Sequence, residues 1–303
     1  MINILRILNN FYNMSFTDIR KIRDGGSVSY AVYSDSCRYF LRVIKPAFIE
    51  TAISGVNIQV FLQNREFSVP LVVLTKDNLP YARTESGLFI LYEFIEGSDS
   101  DTDQDIEDIG MLISRLHNTM RDYTGELKNC DRQFYIGRYI DILIKKQYPK
   151  TDEFIKYGNT IWEKVKDLPR GYCHGDMYSG NIYKTPDKKL YILDFDTSCN
   201  GFPMYDLALI CNKTHYFNFD ESGYFRSKEL LARLLPGYSK VITLSKKEID
   251  AFYDLIALYH FALQATIIEN NGLDCVNNGF LDKQLDWLLK WKEQCESVIV
   301  TNL

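Results

Sequence analysis

None of the seven cysteines (Cys37, Cys130, Cys173, Cys199, Cys211, Cys275, Cys295) forms a C-x-x-C pair or has a histidine at zinc-module spacing. A structural zinc module is thereby excluded. An odd, unpatterned set points to reduced thiols in a cytosol rather than to a disulfide framework. No run approaches the ~18 apolar residues that a bilayer span needs. The N-terminus, MINILRILNNFYN, has neither a basic n-region nor an uninterrupted apolar h-region, so it does not read as a signal peptide. The expected location is cytoplasmic, with no membrane partner. Positive charge is not in excess either, since the net charge is -5. Nucleic acid is therefore not expected as a partner, because phosphate backbones need a basic face. A cationic substrate stays open. Internal repeats and low-complexity segments are absent.

At 303 residues the chain exceeds one ordinary domain, so one large core or two lobes are expected. Aromatics are plentiful, with 21 Tyr and 18 Phe, enough to fill a core or to line a pocket.

The stretch with most chemistry runs from Tyr172 to Leu209 and reads strand, loop, strand, strand, loop, helix. It fixes His174-Gly175-Asp176, then Asn181 five residues after Asp176, then Asp194-Phe195-Asp196 with Asp194 eighteen residues after Asp176. A phosphoryl-transfer site needs one carboxylate to orient and deprotonate an attacking hydroxyl, and a carboxylate with an amide oxygen to hold Mg2+ against a polyphosphate. Asp176 suits the first task; Asn181 and Asp194 suit the second, since hard Mg2+ takes few protein ligands and prefers oxygen. The pattern parallels the H-R-D-x(4)-N and D-F-G pair of protein kinases. Asp caps turns often enough that one H-G-D triplet would mean little; the ordered set means more.

His174-Gly175-Asp176, Asn181, Asp194-Phe195-Asp196 and Tyr205-Asp206-Leu207-Ala208 together resemble the aminoglycoside phosphotransferase and choline kinase family. Gly after the His, and Y-D-L-A downstream, favour this small-molecule branch over protein kinases. The resemblance implies a two-lobed, protein-kinase-like α+β fold, with a small strand-rich N-lobe (residues 1–97, the hinge included) and a larger helical C-lobe (residues 98–303). It further implies Mg2+-dependent transfer of the γ-phosphoryl group of ATP or GTP to a hydroxyl of a small aminoglycoside-, choline- or homoserine-like molecule. Asp206 would brace the catalytic loop by accepting its backbone N–H groups, and His174 would hold that loop rather than move protons.

Along the first lobe, Ile4, Leu5, Leu8 and Phe11 mark a short amphipathic helix. Ile22, Val28, Tyr30, Val32, Tyr39, Leu41 and Val43 mark strands broken by Gly25-Gly26 and by Ser34-Asp35-Ser36. Backbone N–H groups of Gly25, Gly26 and Ser27 could approach phosphates. The strand Tyr39–Ile44 carries Arg42 where the family usually has Lys, and Lys45 follows. Alternation puts Phe40, Arg42 and Ile44 on one face and Leu41, Val43 and Lys45 on the other, so only one of the two cations can face the phosphates. Arg42 is favoured by position. Family members commonly pair this cation with a helix Glu. The helix expected at 48–63 offers Glu50 at its start, with Asn57 or Gln59 as substitutes. Leu71–Leu74 reads as a strand, and Gly87–Ile95 as a buried one ending in a hinge, where Glu93, Phe94 and Ile95 would meet the purine edge.

Beyond the hinge the chain turns helical. Ile106, Ile109, Ile113 and Leu116 recur at helical spacing after Thr102-x-x-Asp105, and His117 on that helix reads as a structural histidine. Residues 132–147 and 153–167 give two more helices. Ser245-x-x-Glu248 is a capping box before AFYDLIALYHFALQATII, a helix apolar nearly all round and hence buried. His260 and Gln264, one turn apart there, need hydrogen-bond partners and are candidates to touch the acceptor. Trp287 and Trp291 are core residues or a cation–π wall. Asp196 is a candidate helper at the metal. A rival reading is a nucleotide-binding regulatory protein without turnover, motivated by Arg42 and the missing helix acid.

Overall fold

The computed structural model describes residues 2–301 apart from Ser36 and Ser86, so one residue of the Ser34-Asp35-Ser36 break lies outside the described residues. The chain divides into two compact units. One holds the residues up to Asp101 together with Thr119–Leu127 and Ser179–Ser198; the other holds Thr102–Asn118, Lys128–Tyr178 and the chain from Cys199 onward. The first crossing thus lies between Asp101 and Thr102, against an expected boundary near residue 97.

In the first unit, α1 (Ile2–Phe11) precedes an antiparallel sheet of β1 (Phe16–Asp24), β2 (Ser27–Ser34), β3 (Arg38–Ile44), β4 (Ala82–Thr84) and β5 (Gly87–Glu93). Its strand order is β1-β2-β3-β5-β4. Strand β5 is apolar at consecutive positions because both its faces are covered. Phe89 and Leu91 join Leu8, Tyr12, Phe16 and Leu41 on the α1 side. Leu88, Ile90 and Tyr92 join Ile44, Ala52 and Val56 on the side of α2 (Ile49–Gln63). Each such buried side chain contributes roughly 1.5–3 kcal/mol, which pins the register of the central strands. Phe40 and Ile44 of β3 belong to the α2 side, and Leu41 and Val43 to the α1 side. By alternation Arg42, between Phe40 and Ile44, faces the α2 side, as does Arg38 at the start of the strand.

Leu71–Leu74 forms only an isolated bridge, Val72 with Tyr92. Val73 N–H donates to Leu91 O and Glu93 N–H to Leu71 O, at 2.8 and 2.9 Å. β4 already pairs with Gly87–Phe89 along that edge, so this segment shares only the remaining end of β5 and is too short to count as a strand. A second small sheet, ordered β10-β9-β6, joins β6 (Ser98–Asp99), β9 (Ile182–Lys184) and β10 (Leu190–Ile192).

In the second unit three short strands, β7 (Lys128–Asn129), β8 (Gly171–Cys173) and β11 (Cys199–Gly201), form a sheet with β11 in the middle. β11 was not anticipated; three residues rich in Gly and Asn carry no strand signal. The helices are α3 (Thr102–Thr119), α4 (Arg138–Lys145, after a π-helical turn at Gln133–Gly137), α5 (Thr151–Val165), α6 (Pro203–Cys211), α7 (Ser222–Tyr238), α8 (Lys246–Asp250), α9 (Phe252–Asn271) and α10 (Asn278–Thr301). α9 packs against α4, α5, α6 and α10, as its all-round apolar character requires. Edge-to-face contacts of Tyr139, Phe154 and Phe261 fill the space between α4, α5 and α9. The Ser245/Glu248 capping box is present, but it opens the short α8, not α9 itself. No helix among the described residues is long and apolar enough to cross a membrane.

Candidate active site

In the first unit Arg42 meets two carboxylates. Its terminal nitrogens donate to both oxygens of Asp196, at 2.6 and 3.3 Å, and one lies 3.5 Å from Asp194 Oδ1. Its Nε reaches Ser27 Oγ at 3.5 Å, tying the guanidinium to the turn between β1 and β2. Burial works against the Arg42 charge. Tyr92, Asp196 and Asp194 together outweigh it and hold the guanidinium above its ordinary range. Tyr92 donates in turn to Gln59 Oε1 of α2 at 3.0 Å. Lys45, by contrast, is exposed and reaches Gly25 O at 2.6 Å and Asp24 at 3.5 Å. Glu50 and Asn57 are exposed on α2. Among the described residues the acids paired with Arg42 are Asp194 and Asp196, not a helix acid.

The Gly25-Gly26 turn leaves bare backbone at Gly26, where an added Cβ would touch nothing. At the far end of β3 and β5, the expected hinge lies beside an open cavity of about 400 Å³ lined by Cys37, Arg38, Tyr39, Glu93, Phe94 and Glu96. The Arg38 guanidinium lies 3.6 Å above the Phe94 ring and pairs with Glu96. Ile95 is half-buried.

Strands β9 and β10 place Asn181 opposite Leu193, the residue before Asp194. Ile182 opposes Ile192, so the residues just outside that pair are neighbours, and Leu193 N–H donates to Asn181 O at 2.9 Å. Asp194 adopts a left-handed backbone, φ 58° and ψ 74°, which Asp tolerates better than most residues. Its side chain is half exposed, at 49%. An amide oxygen and an accessible carboxylate are hard donors that fit Mg2+ when phosphates and water complete its shell. No cluster of three His, Cys, Asp or Glu able to hold a metal alone occurs among the described residues.

In the second unit, β8 delivers the His174–Asp176 loop and α6 holds it. Asp206, wholly buried near the start of α6, accepts from His174 N–H at 2.7 Å and Gly175 N–H at 2.9 Å. His117 Nε2 lies 3.0 Å from Asp206 Oδ2, and His117 Nδ1 lies 2.9 Å from the Tyr238 hydroxyl. The loop therefore has an anchored backbone on both sides of His174. Gly175 sits at φ 84°, a left-handed conformation that explains glycine where protein kinases have Arg. Asp176 N–H leans on His174 Nδ1 at 3.4 Å. Asp206 and His174 thus hold the loop, as expected, and His117 is structural.

Tyr259 escaped sequence reasoning. Burial, then the Asp176 charge and Tyr178, push its phenol up to about 12, so it lies within the electrostatic reach of the candidate base. Its only signal was an aromatic on a helix already rich in aromatics. Tyr178 is exposed. His260 and Gln264 are buried deep in the second unit, at 2% and 0% exposure. His260 stacks on Trp287 at 4.2 Å, which stacks on Trp291. Both tryptophans are core residues whose Nε1 groups donate to backbone carbonyls of His215 and Tyr253.

A strand-rich unit with a half-buried arginine between acids, and a helical unit with a braced H-G-D loop, define a phosphoryl-transfer protein of protein-kinase-like fold. The family model described as the phosphotransferase enzyme family matches residues 18–241, and the chain belongs to that family. It is 35% identical over 86 residues to a homoserine kinase of Rhizobium meliloti, a match covering 28% of this chain and 25% of that protein. Among solved structures, an amicoumacin kinase in complex with AMP-PNP and Ca2+ superposes with TM-score 0.73 at 14% identity, over 97% of this chain and 93% of the other. A microcompartment-associated aminopropanol kinase superposes with TM-score 0.72 at 17% identity, over 99% and 98%.

Proposed function

We propose that this protein transfers the γ-phosphoryl group of ATP to the hydroxyl of a small amino alcohol. The arrangement of Arg42 against Asp194 and Asp196 carries the reading. A largely buried cation with carboxylates beside it is of use where polyphosphate charge must be met. Arg42 and the Gly25–Ser27 turn would hold phosphate oxygens, and the segment Glu93–Ile95 the purine edge. Asn181 and Asp194 would hold Mg2+, which supplies neutralisation of the phosphate charge when bound. Asp176 would accept the proton of the acceptor hydroxyl as its oxygen bonds to the γ-phosphorus; the bond to the β-phosphate oxygen breaks and ADP leaves.

Two relatives are named for molecules that carry both an amine and a hydroxyl, homoserine and aminopropanol, and the net charge of -5 suits the ammonium group they share. Tyr178 and Tyr259 near Asp176 could offer aromatic faces to an ammonium group, and their position favours them over the buried His260 and Gln264. The rival reading, binding without turnover, drew on the absent helix acid; the Asp196 partner of Arg42 weakens that motive.

The test is transfer of labelled γ-phosphate from Mg·ATP, and from Mg·GTP in parallel, to homoserine, aminopropanol, choline, aminoglycosides and sugars. Label on an amino alcohol, lost by ~10^2-fold or more in Asp176→Asn, is the expected outcome. Equal turnover in that variant removes Asp176 from its role.

A further inference from the structure

Helix α2 turns a glycine toward the Asp196 carboxylate that engages Arg42. A Cβ at position 55 would lie 2.7 Å from Asp196 Oδ1, closer than real side chains approach, and a tight 3.0 Å from both Asp196 N and Phe195 C. The Asp196 carboxylate thus stands where a side chain at position 55 would begin. It is held there by its own turn: Phe195–Thr197 forms a 3-10 turn with Phe195 buried, closed by Ser198 N–H to Phe195 O at 3.1 Å, and α2 packs directly on it.

We propose that Asp196 is the positioning residue of Arg42, a carboxylate supplied from the acidic loop in place of one from helix α2, and that Gly55 is the residue that admits it. The proposal rests on the reading of Arg42 as a phosphate-binding cation and deepens it. Three observations converge. Asp196 engages Arg42 through both oxygens, the planar fork-to-fork geometry that fixes a guanidinium in orientation as well as place. The residues of α2 expected to pair with the cation do not: Gln59 accepts from Tyr92, while Glu50 and Asn57 are exposed. And the two acids divide the work, because Asp194 stands farther off at 3.5 Å and is 49% exposed, against 20% for Asp196. Asp194 is thereby left open for metal, and Asp196 is not. Arginine has five N–H donors, so two spent on Asp196 still leave donors for phosphate. Lysine, a point charge, would gain less from a planar partner, which accounts for Arg and Asp occurring together.

The experiment measures affinity of the full chain for ADP and AMP-PNP, with and without Mg2+, together with melting temperature, in Asp196→Asn, Arg42→Ala, their double variant, Gly55→Glu, and Asp196→Gly with Gly55→Glu. Asp196→Asn is expected to weaken nucleotide binding about tenfold or more in both the presence and the absence of Mg2+. It should raise the nucleotide KM more than it lowers kcat. Added to Arg42→Ala it should cost little further, since the two act as one unit. Gly55→Glu alone should lower the melting temperature, and Asp196→Gly should restore part of the loss by removing the 2.7 Å carboxylate contact, although the 3.0 Å backbone contacts stay, and by letting the new glutamate take the arginine.

An Asp196→Asn effect that appears only with Mg2+ would make Asp196 a metal ligand and overturn the proposal. So would full additivity with Arg42→Ala, or a Gly55→Glu defect indifferent to residue 196. If Arg42→Ala leaves nucleotide affinity unchanged, the phosphate reading fails instead. The melting comparisons at positions 42, 55 and 196 still decide the ion pair in that case.

Discussion

Two buried polar groups in the helical unit have opposite fates. Asp206 is fully buried and fully used, with two backbone N–H groups and the His117 ring on its oxygens. His260, Gln264 and Gln284 are as deeply buried, yet His260 Nε2 and both amide atoms of each glutamine have no hydrogen-bond partner among the described residues. Gln284 lies close enough to His260 to oppose the effect of burial on its ring, but neither of its amide atoms meets hydrogen-bond geometry. A buried carboxylate is tolerable only when paired and bonded, so the Asp206 network must be complete or absent. Neutral amides in an apolar helix pair cost less to leave unpaired, and removing them threatens nothing else. The difference separates a cluster that braces the His174–Asp176 loop from one that is buried without hydrogen bonds at its amides.

The largest effect belongs to the first cluster. Asp206→Ala strips partners from His174 N–H, Gly175 N–H and His117 at once, and should destabilise the fold by on the order of 3–5 kcal/mol, a large part of a typical 5–15 kcal/mol total. Urea unfolding measures it. Asp206→Asn keeps one acceptor oxygen and should fall between. A loss below ~1 kcal/mol for the alanine variant would mean that the loop is held by something else.

The second cluster should reveal itself through pH. Burial pushes the His260 imidazole down to about 3, from an ordinary 6.5. The folded state therefore binds fewer protons here than the unfolded state, and stability rises with pH between those values. The contribution is intact above 6.5 and is lost as pH falls from 6.5 toward 3, at up to ~1.4 kcal/mol per unit. His260→Phe keeps the stacking surface on Trp287 and removes the titration. The variant should gain on the parent by roughly 2–3 kcal/mol between pH 7 and pH 4.5. Parallel pH curves for the two proteins would contradict the depressed value.

Much of this was legible beforehand, and what was not has a common cause. The spacing of Asp176, Asn181 and Asp194 and the role of Asp206 lie in contiguous motifs, and the alternation of β3 put Arg42 and Lys45 on opposite faces, with position in the strand favouring Arg42. Long-range facts were invisible. Nothing local in Asp196 or Gly55 says that they touch, because their closeness depends on how α2 packs on a turn some 140 residues later. A linear boundary near residue 97 likewise cannot express that Ser179–Ser198 returns to the first unit. The capping box was read correctly, but the break at Ala251 that separates α8 from α9 carries no Gly or Pro to announce it.

The smallest effect is the most discriminating. If Gln264 and Gln284 contribute no hydrogen bonds, replacing each by Met, similar in length and flexible enough to fill the same volume, should be neutral or stabilising by up to ~1–2 kcal/mol for the pair, since two desolvated amides are removed and no partner is orphaned. Were the amides joined to each other or to His260, single replacements would each cost more than ~1 kcal/mol, and the double variant would cost less than their sum. Denaturant midpoints of the two single variants and the double variant separate these cases. A neutral double variant with unchanged transfer activity would also remove Gln264 from contact with the acceptor and leave that contact to Tyr178 and Tyr259.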